Sequence, residues 1–349
     1  MLKQVFIIVD DKILFRRNYA KGIEDSILIN IYPKIKQTLF AKHSPEIGEF
    51  EFFQSKISYI VERNQNLAFL FISGLADNFD RIKVELHKFK KEFLNLFGDN
   101  LKTKTNFLME EALSPLLDAI HRALMPKISI IGFSGVGKTT ITKLIKSEEI
   151  PMKHIPTITG DVATIKFGNL YFFLWDFAGQ EQFSFLWSKF IQESDAVLLI
   201  TDSSLTNVEK SKFFLDLIRK EAPHSNSAVI ANKQDLPNAL SVRSIEEVLG
   251  LKTYSMIAVE PENKIKMIRI IADILEMNPE SSPLLGPLFE RDKLMEETQI
   301  ILNQGKYDQA IVLFQKLSNI CLDLGDDSLA IDFNEKADKI KSVLKTQTS

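Results

Sequence analysis

Gly132-Phe133-Ser134-Gly135-Val136-Gly137-Lys138-Thr139 decides the fold of this chain. The apolar segment 128–131 before it has the composition of a buried strand, and a helix is predicted to begin at Lys138. Glycines in such a turn let backbone N–H groups close around an oxyanion, and the N-terminal end of the next helix favours negative charge. The spacing therefore predicts a phosphate-binding loop rather than an ordinary turn between a strand and a helix.

This loop supplies the first group of candidate ligands. Lys138 is expected to reach the β- and γ-phosphates of a nucleotide, and the Thr139 hydroxyl is expected to bind Mg²⁺. The candidate nucleotide ligands here are Ser134, Gly135, Val136, Gly137, Lys138, Thr139 and Thr140.

A second group of polar residues follows the predicted strand 170–175. Asp176 ends that apolar strand, where a carboxylate is placed to bind Mg²⁺ through water. Gly179 offers a backbone N–H to a γ-phosphate, and Gln180 is placed to orient an attacking water. Thr157, within Pro156-Thr157-Ile158, is the candidate for a second hydroxyl on Mg²⁺, with Thr159 as the alternative. The predicted metal ligands are thus Thr139, Thr157 and Asp176, and the predicted catalytic residues are Gln180, Lys138 and Thr157.

The segment Asn232-Lys233-Gln234-Asp235 follows the predicted strand 227–231 and indicates which nucleotide base the site binds. The Asp235 carboxylate can accept from both N1–H and the 2-amino group of guanine, whereas adenine offers neither donor. Lys233 would cover the base face, and Asn232 would hold the loop together. Leaving buried polar groups unpaired is a strong way to reject the wrong base. The Ala258 backbone, after the last predicted strand, is a further candidate for contact with the guanine carbonyl.

Bulk composition restricts the class of protein. A chain of 349 residues fits two or three domains, and 45% hydrophobic with 26% charged residues is typical of a globular protein. A net charge of −3 gives no general attraction to nucleic acid, so no nucleic-acid partner is expected. The single cysteine, Cys321, favours a reducing compartment. We expect a cytoplasmic protein without a signal peptide or a lipidation site, whose membrane contact is peripheral or made through a partner.

Residues 1–125 predict an α+β domain with the order ββαβββαα. The chain opens with Gln4-Val5-Phe6-Ile7-Ile8-Val9, and an Asp-Asp-Lys turn then leads to Leu14-Phe15-Arg16-Arg17. This order and opening resemble the longin (profilin-like) domains of membrane-trafficking proteins, with a roadblock-type domain as the alternative. The resemblance implies a role in docking. The predicted strands are 5–9, 13–19, 49–54, 56–62 and 67–74, and the predicted helices are 23–42, 77–97 and 107–124.

Strands and helices alternate over residues 126–278, which predicts a mostly parallel, six-stranded α/β sheet with helices on both faces. The predicted strands are 128–131, 162–167, 170–175, 196–201, 227–231 and 254–259, and the predicted helices are 138–147, 207–221, 241–249 and 262–277.

This segment resembles the small GTPases of the Ras superfamily, and most of all their Arf/Sar branch. The residues that carry the resemblance are Asn232 to Ala239, the Gly-Lys-Thr-Thr at 137–140, Pro156 to Ile158, Leu174-Trp175-Asp176 and Leu186-Trp187. It implies a P-loop GTPase that binds GTP or GDP with Mg²⁺, with protein effectors, an exchange factor and a GTPase activator as partners. It also implies a role in vesicle trafficking or membrane-associated signalling.

The segment departs from the branch pattern in three places. A whole domain precedes it instead of an amphipathic, lipidated helix. Ala178 and Glu181 give a Ras-like second switch, and Gly160-Asp161 stands where an aromatic residue is expected. No arginine is identifiable as a charge-stabilising finger within the chain, so hydrolysis is expected to be slow without an activator. Two alternatives are a GTP-bound scaffold with little hydrolysis and a P-loop ATPase, the latter disfavoured by the segment 232–235.

The C-terminal part predicts a linker and an all-α tail. Pro, Ser and Gly residues mark 279–287 as the linker, and helices are predicted over 288–303, 307–323 and 326–346. Gly305-Lys306-Tyr307 with Ala310 and Phe314 resembles half of a tetratricopeptide (TPR) repeat. At most one and a half repeats fit into 288–349, so this tail is expected to pack on the GTPase domain, on a partner, or on itself in a dimer.

Overall fold

The computed structural model describes residues 1–41, 44–98, 106–146, 161–167, 170–176, 184–277, 285–324 and 326–347. The chain divides into two compact units. The first consists of Met1–Ile165 with Tyr171–Asn278, and the second of Lys166–Leu170 with Pro279–Ser349. Within the described residues, no helix is both long enough and apolar enough to cross a bilayer.

The N-terminal third folds as a five-stranded antiparallel sheet with helices, in the predicted order ββαβββαα. The strands lie in the order β2-β1-β5-β4-β3. Their bounds are β1 (Leu2–Val9), β2 (Lys12–Asn18), β3 (Ile47–Phe52), β4 (Ser55–Glu62) and β5 (Leu67–Ser73), and the helices are α1 (Asp25–Leu39), α2 (Phe79–Phe97) and α3 (Asn106–Ala123).

The predicted β1–β2 hairpin is formed by a tight turn at Asp10 and Asp11. Both residues have positive φ, 45° and 69°, which is the conformation that a two-residue turn needs to match the twist of its strands. The sheet is covered on both faces. Leu28 and Tyr32 of α1 pack with Phe6 on one face, and on the other Phe89 of α2 contacts Phe69 and Phe71 of β5. Every residue of β5 is consequently buried, as befits the central strand.

A second sheet, of six strands, follows in the order β11-β10-β9-β6-β8-β7. Pairing is parallel across all strands from β11 to β8. The strands are β6 (Lys127–Ile131), β7 (Asp161–Phe167), β8 (Leu170–Asp176), β9 (Ala196–Thr201), β10 (Asn226–Ala231) and β11 (Thr253–Ser255). The helices are α4 (Lys138–Lys146), α5 (Ser184–Ile191), α6 (Leu205–Glu221), α7 (Val242–Leu249) and α8 (Asn263–Ile274).

Two details of this sheet differ from the sequence-based expectation. The strand predicted over 254–259 ends at Ser255. The Met256 N–H still donates to the Ala231 carbonyl of β10 at 2.9 Å, but the Ala258 N–H donates to the Asn232 side chain at 3.0 Å instead of to a β10 carbonyl. The helix α5 was not predicted. Its residue Trp187 is 4% exposed and packs edge-on against Phe133 at 6.4 Å between ring centroids.

The two sheets belong to one compact unit and meet at Asp195, immediately before β9. The Lys127 N–H donates to Asp195 Oδ2 at 2.9 Å, and the Asp195 N–H donates to the Lys127 carbonyl at 2.9 Å. The α-amino group of Met1 contacts the carboxylates of both Asp195 and Asp77. The Lys21 N–H donates to the Glu276 carbonyl at 2.9 Å. Asp195 therefore links β6, β9 and the N-terminal sheet.

The C-terminal helices are α9 (Gly286–Asn303), α10 (Tyr307–Asp323) and α11 (Asp327–Gln347). α10 lies in the middle of this helical tail, where the Phe314 and Phe333 rings stack at 5.9 Å and the Ser318 hydroxyl donates to the Ala330 carbonyl at 2.8 Å. Cys321 is fully buried in the same apolar seam, and burial raises the pKa of its thiol to about 11, so it is a packing residue rather than a reactive thiol.

Candidate functional site

The glycines of the phosphate loop, between β6 and α4, have the conformations that sequence reasoning required. Gly132, Gly135 and Gly137 have φ of 143°, 81° and 104°. A Cβ at Gly132 would lie 2.4 Å from the Ile200 carbonyl oxygen, and one at Gly137 would lie 2.3 Å from Asn232 Nδ2. The backbone of β9 and the Asn232 side chain after β10 therefore approach the loop too closely for a side chain at these glycines. Ser134 and Gly135 are exposed at the tip, while Thr140 is half-buried at the start of α4.

Lys138 is the buried cation of this loop. It is 6% exposed, and its ammonium donates to the Phe133 carbonyl at 2.9 Å, which folds the side chain back over the loop. Burial lowers the pKa of Lys138 to about 8, and the nearby Asp176 carboxylate opposes that shift. A desolvated ammonium held above a ring of backbone N–H groups is an effective partner for phosphate oxygens.

Asp176 and Thr139 are the described residues that fit a Mg²⁺ ion. Asp176 ends β8, pairs with Ile130 of β6, and is 2% exposed. Thr139 is half-buried in the first turn of α4. A carboxylate and a hydroxyl beside a phosphate cradle are the oxygen ligands that Mg²⁺ takes in nucleotide sites. The donor set therefore suits the ion, and these two residues would hold it.

Asn232 connects the phosphate loop to the predicted base-binding loop. Its Nδ2 donates to the Val136 carbonyl at 2.9 Å, and its Oδ1 accepts from the Ala258 N–H at 3.0 Å. Its own N–H donates to the Thr201 carbonyl at 2.9 Å. One side chain, only 3% exposed, thus joins the loops that follow β6, β10 and β11. Since the strands are parallel, these loops lie at the same edge of the sheet.

Lys233 and Asp235 project from the same loop. Lys233 adopts a left-handed conformation, with φ of 59°, and is half-buried, while Asp235 is exposed. The turn at Lys233 separates the buried Asn232 side chain from the exposed Asp235 side chain. The N–H of Ala258 is already a donor to Asn232, so its contact with a guanine carbonyl stays a prediction.

Sequence reasoning missed a supporting residue, Ser203, which lies between β9 and α6. It is fully buried, has φ of 63°, and hydrogen-bonds with both Asn232 and Gln234. The only hint was the polar run Asp202-Ser203-Ser204 directly after an apolar strand. Four other predicted residues, Thr157, Thr159, Gly179 and Gln180, lie outside the described residues.

The arrangement provides a cradle of backbone N–H groups with a buried ammonium for phosphate, two oxygen ligands for a cation, and an exposed carboxylate on a rigidly held loop. Such a set can bind a purine nucleoside phosphate with its phosphates at 132–140 and its base at 232–235.

Part of this chain is similar to known proteins. The sequence profile of the ADP-ribosylation factor family matches residues 114–274. The ADP-ribosylation factor-like protein 5 of Caenorhabditis elegans is 34% identical over 131 residues, which cover 36% of this chain and 72% of that protein. A solved structure, the Arl6 BBS3 small GTPase from Trypanosoma brucei with the bound nucleotide analogue GppNp, shares 21% identity. The match covers 43% of this chain and 97% of that one, with a TM-score of 0.37. Through residues 114–274, the chain belongs to the ADP-ribosylation factor family of small GTPases, GTP-binding switches that hydrolyse GTP.

Proposed function

We propose that this chain is a guanine-nucleotide switch of membrane trafficking or membrane-associated signalling. In this proposal residues 1–125 form a longin-like docking domain and residues 126–278 form the switch domain. The linker 279–287 leads to a TPR-like docking tail, 288–349. Each nucleotide state would select its own effectors, and an exchange factor and a GTPase activator would interconvert the states.

The observation that supports the nucleotide part is the position of Asn232. Its side chain joins the Val136 carbonyl of the phosphate loop to the Ala258 N–H behind the base-binding loop. Because these bonds hold the two ends of the site at a fixed separation, both ends can engage one nucleotide without reorganisation.

The proposed roles follow from the chemistry of each residue. Lys138 holds the β- and γ-phosphates, and Thr139, Thr157 and Asp176 hold Mg²⁺. Gln180 orients the attacking water, and Gly179 contacts the γ-phosphate. Asp235 pairs with guanine, while Lys233 covers its face. Hydrolysis is slow without an activator, because an arginine supplied by a partner contributes about 10³–10⁵-fold in comparable switches.

The docking role of the N-terminal domain is supported by its architecture. Its five-stranded antiparallel sheet carries α1 on one face and α2 on the other, and it belongs to the same compact unit as the nucleotide-binding sheet. Within the described residues of this domain, no cluster of His, Cys, Asp and Glu could hold a metal ion. The proposed docking role rests on the element order of this domain, which is the order that resembles longin domains.

Single-turnover GTP hydrolysis tests the switch. The chain, loaded with GTP and Mg²⁺, is followed with and without cell extract as a source of activator, beside Gln180→Leu. We expect slow hydrolysis that extract accelerates in the unsubstituted chain and not in the variant, with nucleotide affinity nearly equal in both. Nucleotide binding without hydrolysis in either condition would instead indicate the alternative, a GTP-bound scaffold.

A further inference from the structure

The base-binding loop is hydrogen-bonded to a buried residue of a different loop, Ser203. Ser203 is fully buried in the loop between β9 and α6. Its hydroxyl donates to the Asn232 carbonyl at 2.6 Å and accepts from Gln234 Nε2 at 2.7 Å. Its own carbonyl accepts from the Leu240 N–H at 2.8 Å. Three of its four polar contacts therefore go to the segment 232–240.

The direction of these bonds is fixed by their partners. Gln234 Nε2 also donates to the Leu240 carbonyl at 3.1 Å, so the amide nitrogen faces inward and Ser203 must accept from it. The Asn232 carbonyl can only accept, so the Ser203 hydroxyl must donate to it. Among small side chains, only a hydroxyl can both donate one hydrogen bond and accept another at the same oxygen atom.

The two bonds hold the residues on either side of Lys233. Lys233 has a positive φ, a conformation that costs a non-glycine residue about 1 kcal/mol and persists only where its surroundings impose it. Ser203 has a positive φ as well, at 63°. Asp235, which would read the base, extends from the backbone that these contacts fix.

We propose that Ser203 is a positioning residue for guanine recognition: without touching the nucleotide, its hydroxyl holds Asn232 and Gln234 so that the Asp235 carboxylate faces the N1–H and 2-amino group of the base. This inference rests on the proposed guanine site and extends it to a residue of a different loop.

Ser203→Ala tests the inference, with Ser211→Ala as the matched control. Ser211 is also fully buried, but its hydroxyl donates to the Asn207 carbonyl inside α6, away from the base-binding loop. The readouts are the dissociation rates of fluorescent GDP and the ratio of affinities for GDP and inosine diphosphate, which lacks the 2-amino group.

In Ser203→Ala we expect GDP to dissociate about tenfold faster, a change of about 1.4 kcal/mol, and the GDP preference over inosine diphosphate to fall several-fold. Ser211→Ala should keep the preference of the unsubstituted chain. A general loss of stability would weaken both nucleotides equally, so an unchanged preference in Ser203→Ala overturns the inference.

If Ser203→Ala does not fold, Gln234→Met removes one of the two bonds of the Ser203 hydroxyl, and the Gln234–Leu240 bond with it, while keeping a side chain of similar length. A fall in preference in the same direction is expected, and its absence is equally contrary to the inference. Asp235→Asn serves as the direct-contact reference. If the unsubstituted chain binds no guanine nucleotide at all, the proposed function fails, an outcome distinct from the unchanged preference above.

Discussion

At the scale of single residues, the nucleotide site depends on close approaches between loops that are far apart in the chain. Gly137 and Asn232 are the clearest pair, because the Asn232 side chain occupies the space that a Cβ on Gly137 would need. The buried ammonium of Lys138 is the second such feature, because burial lowers its pKa and so changes the pH range in which it is charged.

Gly137→Ala should weaken nucleotide binding at least tenfold. The new Cβ would lie 2.3 Å from Asn232 Nδ2, so the bond from Asn232 to the Val136 carbonyl has to break. Gly250→Ala is the control: this glycine also has a positive φ, at 65°, but nothing lies within 4 Å of the new Cβ. It should cost about 1 kcal/mol of stability and leave binding intact. Equal affinities in equilibrium titrations of the two variants would contradict the packing argument.

Nucleotide binding at pH 8.5 should take up protons. The pKa of Lys138 is lowered to about 8 by burial in the nucleotide-free chain, so part of the population is neutral at this pH. Phosphate oxygens stabilise the charged form and raise that pKa, so binding draws a proton from solution. Affinity should consequently fall as the pH rises above about 8. Calorimetry in two buffers of different ionisation enthalpy measures the uptake, and binding without uptake at pH 8.5 would refute the assignment.

At the scale of secondary structure, strong periodicity was enough to predict most elements. The ββαβββαα order and the strand–loop–helix around 132–139 are predictable because each depends on local sequence. α5 was missed because its sequence, Ser184 to Ile191, is apolar on nearly every side and gives no clear stripe. The early end of β11 depends on the Ala258 N–H donating to the Asn232 side chain, a tertiary contact that local sequence does not reveal.

The residues of the candidate site also divide into those that local sequence reveals and those that depend on tertiary contacts. The positions of Lys138, Asn232 and Asp235 in the segments that follow β6 and β10 were predictable, because glycine spacing and a polar segment after a strand are local signals. Ser203 was not, because its importance depends on a positive φ and on hydrogen bonds with Asn232 and Gln234, about thirty residues away. Asp195 gave no signal at all, since an acidic residue before a strand is typical of an exposed loop.

The packing of α3 against β2 should be sensitive to acid through His121. This residue is fully buried beside the Tyr19 ring, with 4.4 Å between ring centroids. Burial lowers its pKa to about 3, helped by the positive charges of the Met1 α-amino group, Arg122 and Arg17. The folded chain then binds no proton here at pH 5, whereas the unfolded chain does below its ordinary value near 6.5. The free energy of unfolding therefore decreases as the pH is lowered. This group alone lowers it by about 2 kcal/mol between pH 7 and pH 5.

Urea unfolding of the unsubstituted chain and of His121→Phe at both pH values measures this contribution as the difference between their pH dependences. His87→Phe is the control, because that ring is exposed on α2. The same pH dependence in the unsubstituted chain and in His121→Phe would show that α3 does not carry the acid sensitivity.

At the scale of the whole molecule, the N-terminal sheet and the nucleotide-binding sheet form one compact unit, and Asp195 is their common point. Removing a buried carboxylate from charged partners costs about 3 kcal/mol or more. Because the Asp195 carboxylate contacts the start of β6 and the Met1 α-amino group of the N-terminal sheet, its loss should be felt on both sides of the junction.

Hydrogen exchange of Asp195→Asn should therefore show lower opening free energies for β5 and β9 alike. Asp216→Asn, which removes a carboxylate that is 83% exposed on α6, should change neither by more than about 0.5 kcal/mol. Faster exchange confined to β9 would mean that the two sheets are energetically independent.

In the proposed site, the loops after β6 and β10 hold one guanine nucleotide between them. Competition for a fluorescent GDP on nucleotide-stripped protein, with Mg²⁺ present, tests it most directly. We expect GDP and GTP to displace the fluorescent ligand, ATP in large excess to leave it bound, and Asp235→Asn to shift the preference from guanine to xanthine nucleotides. If ATP displaced the fluorescent ligand as well as GTP does at the same concentration, or if the protein took up no fluorescent ligand at all, this proposal would be contradicted.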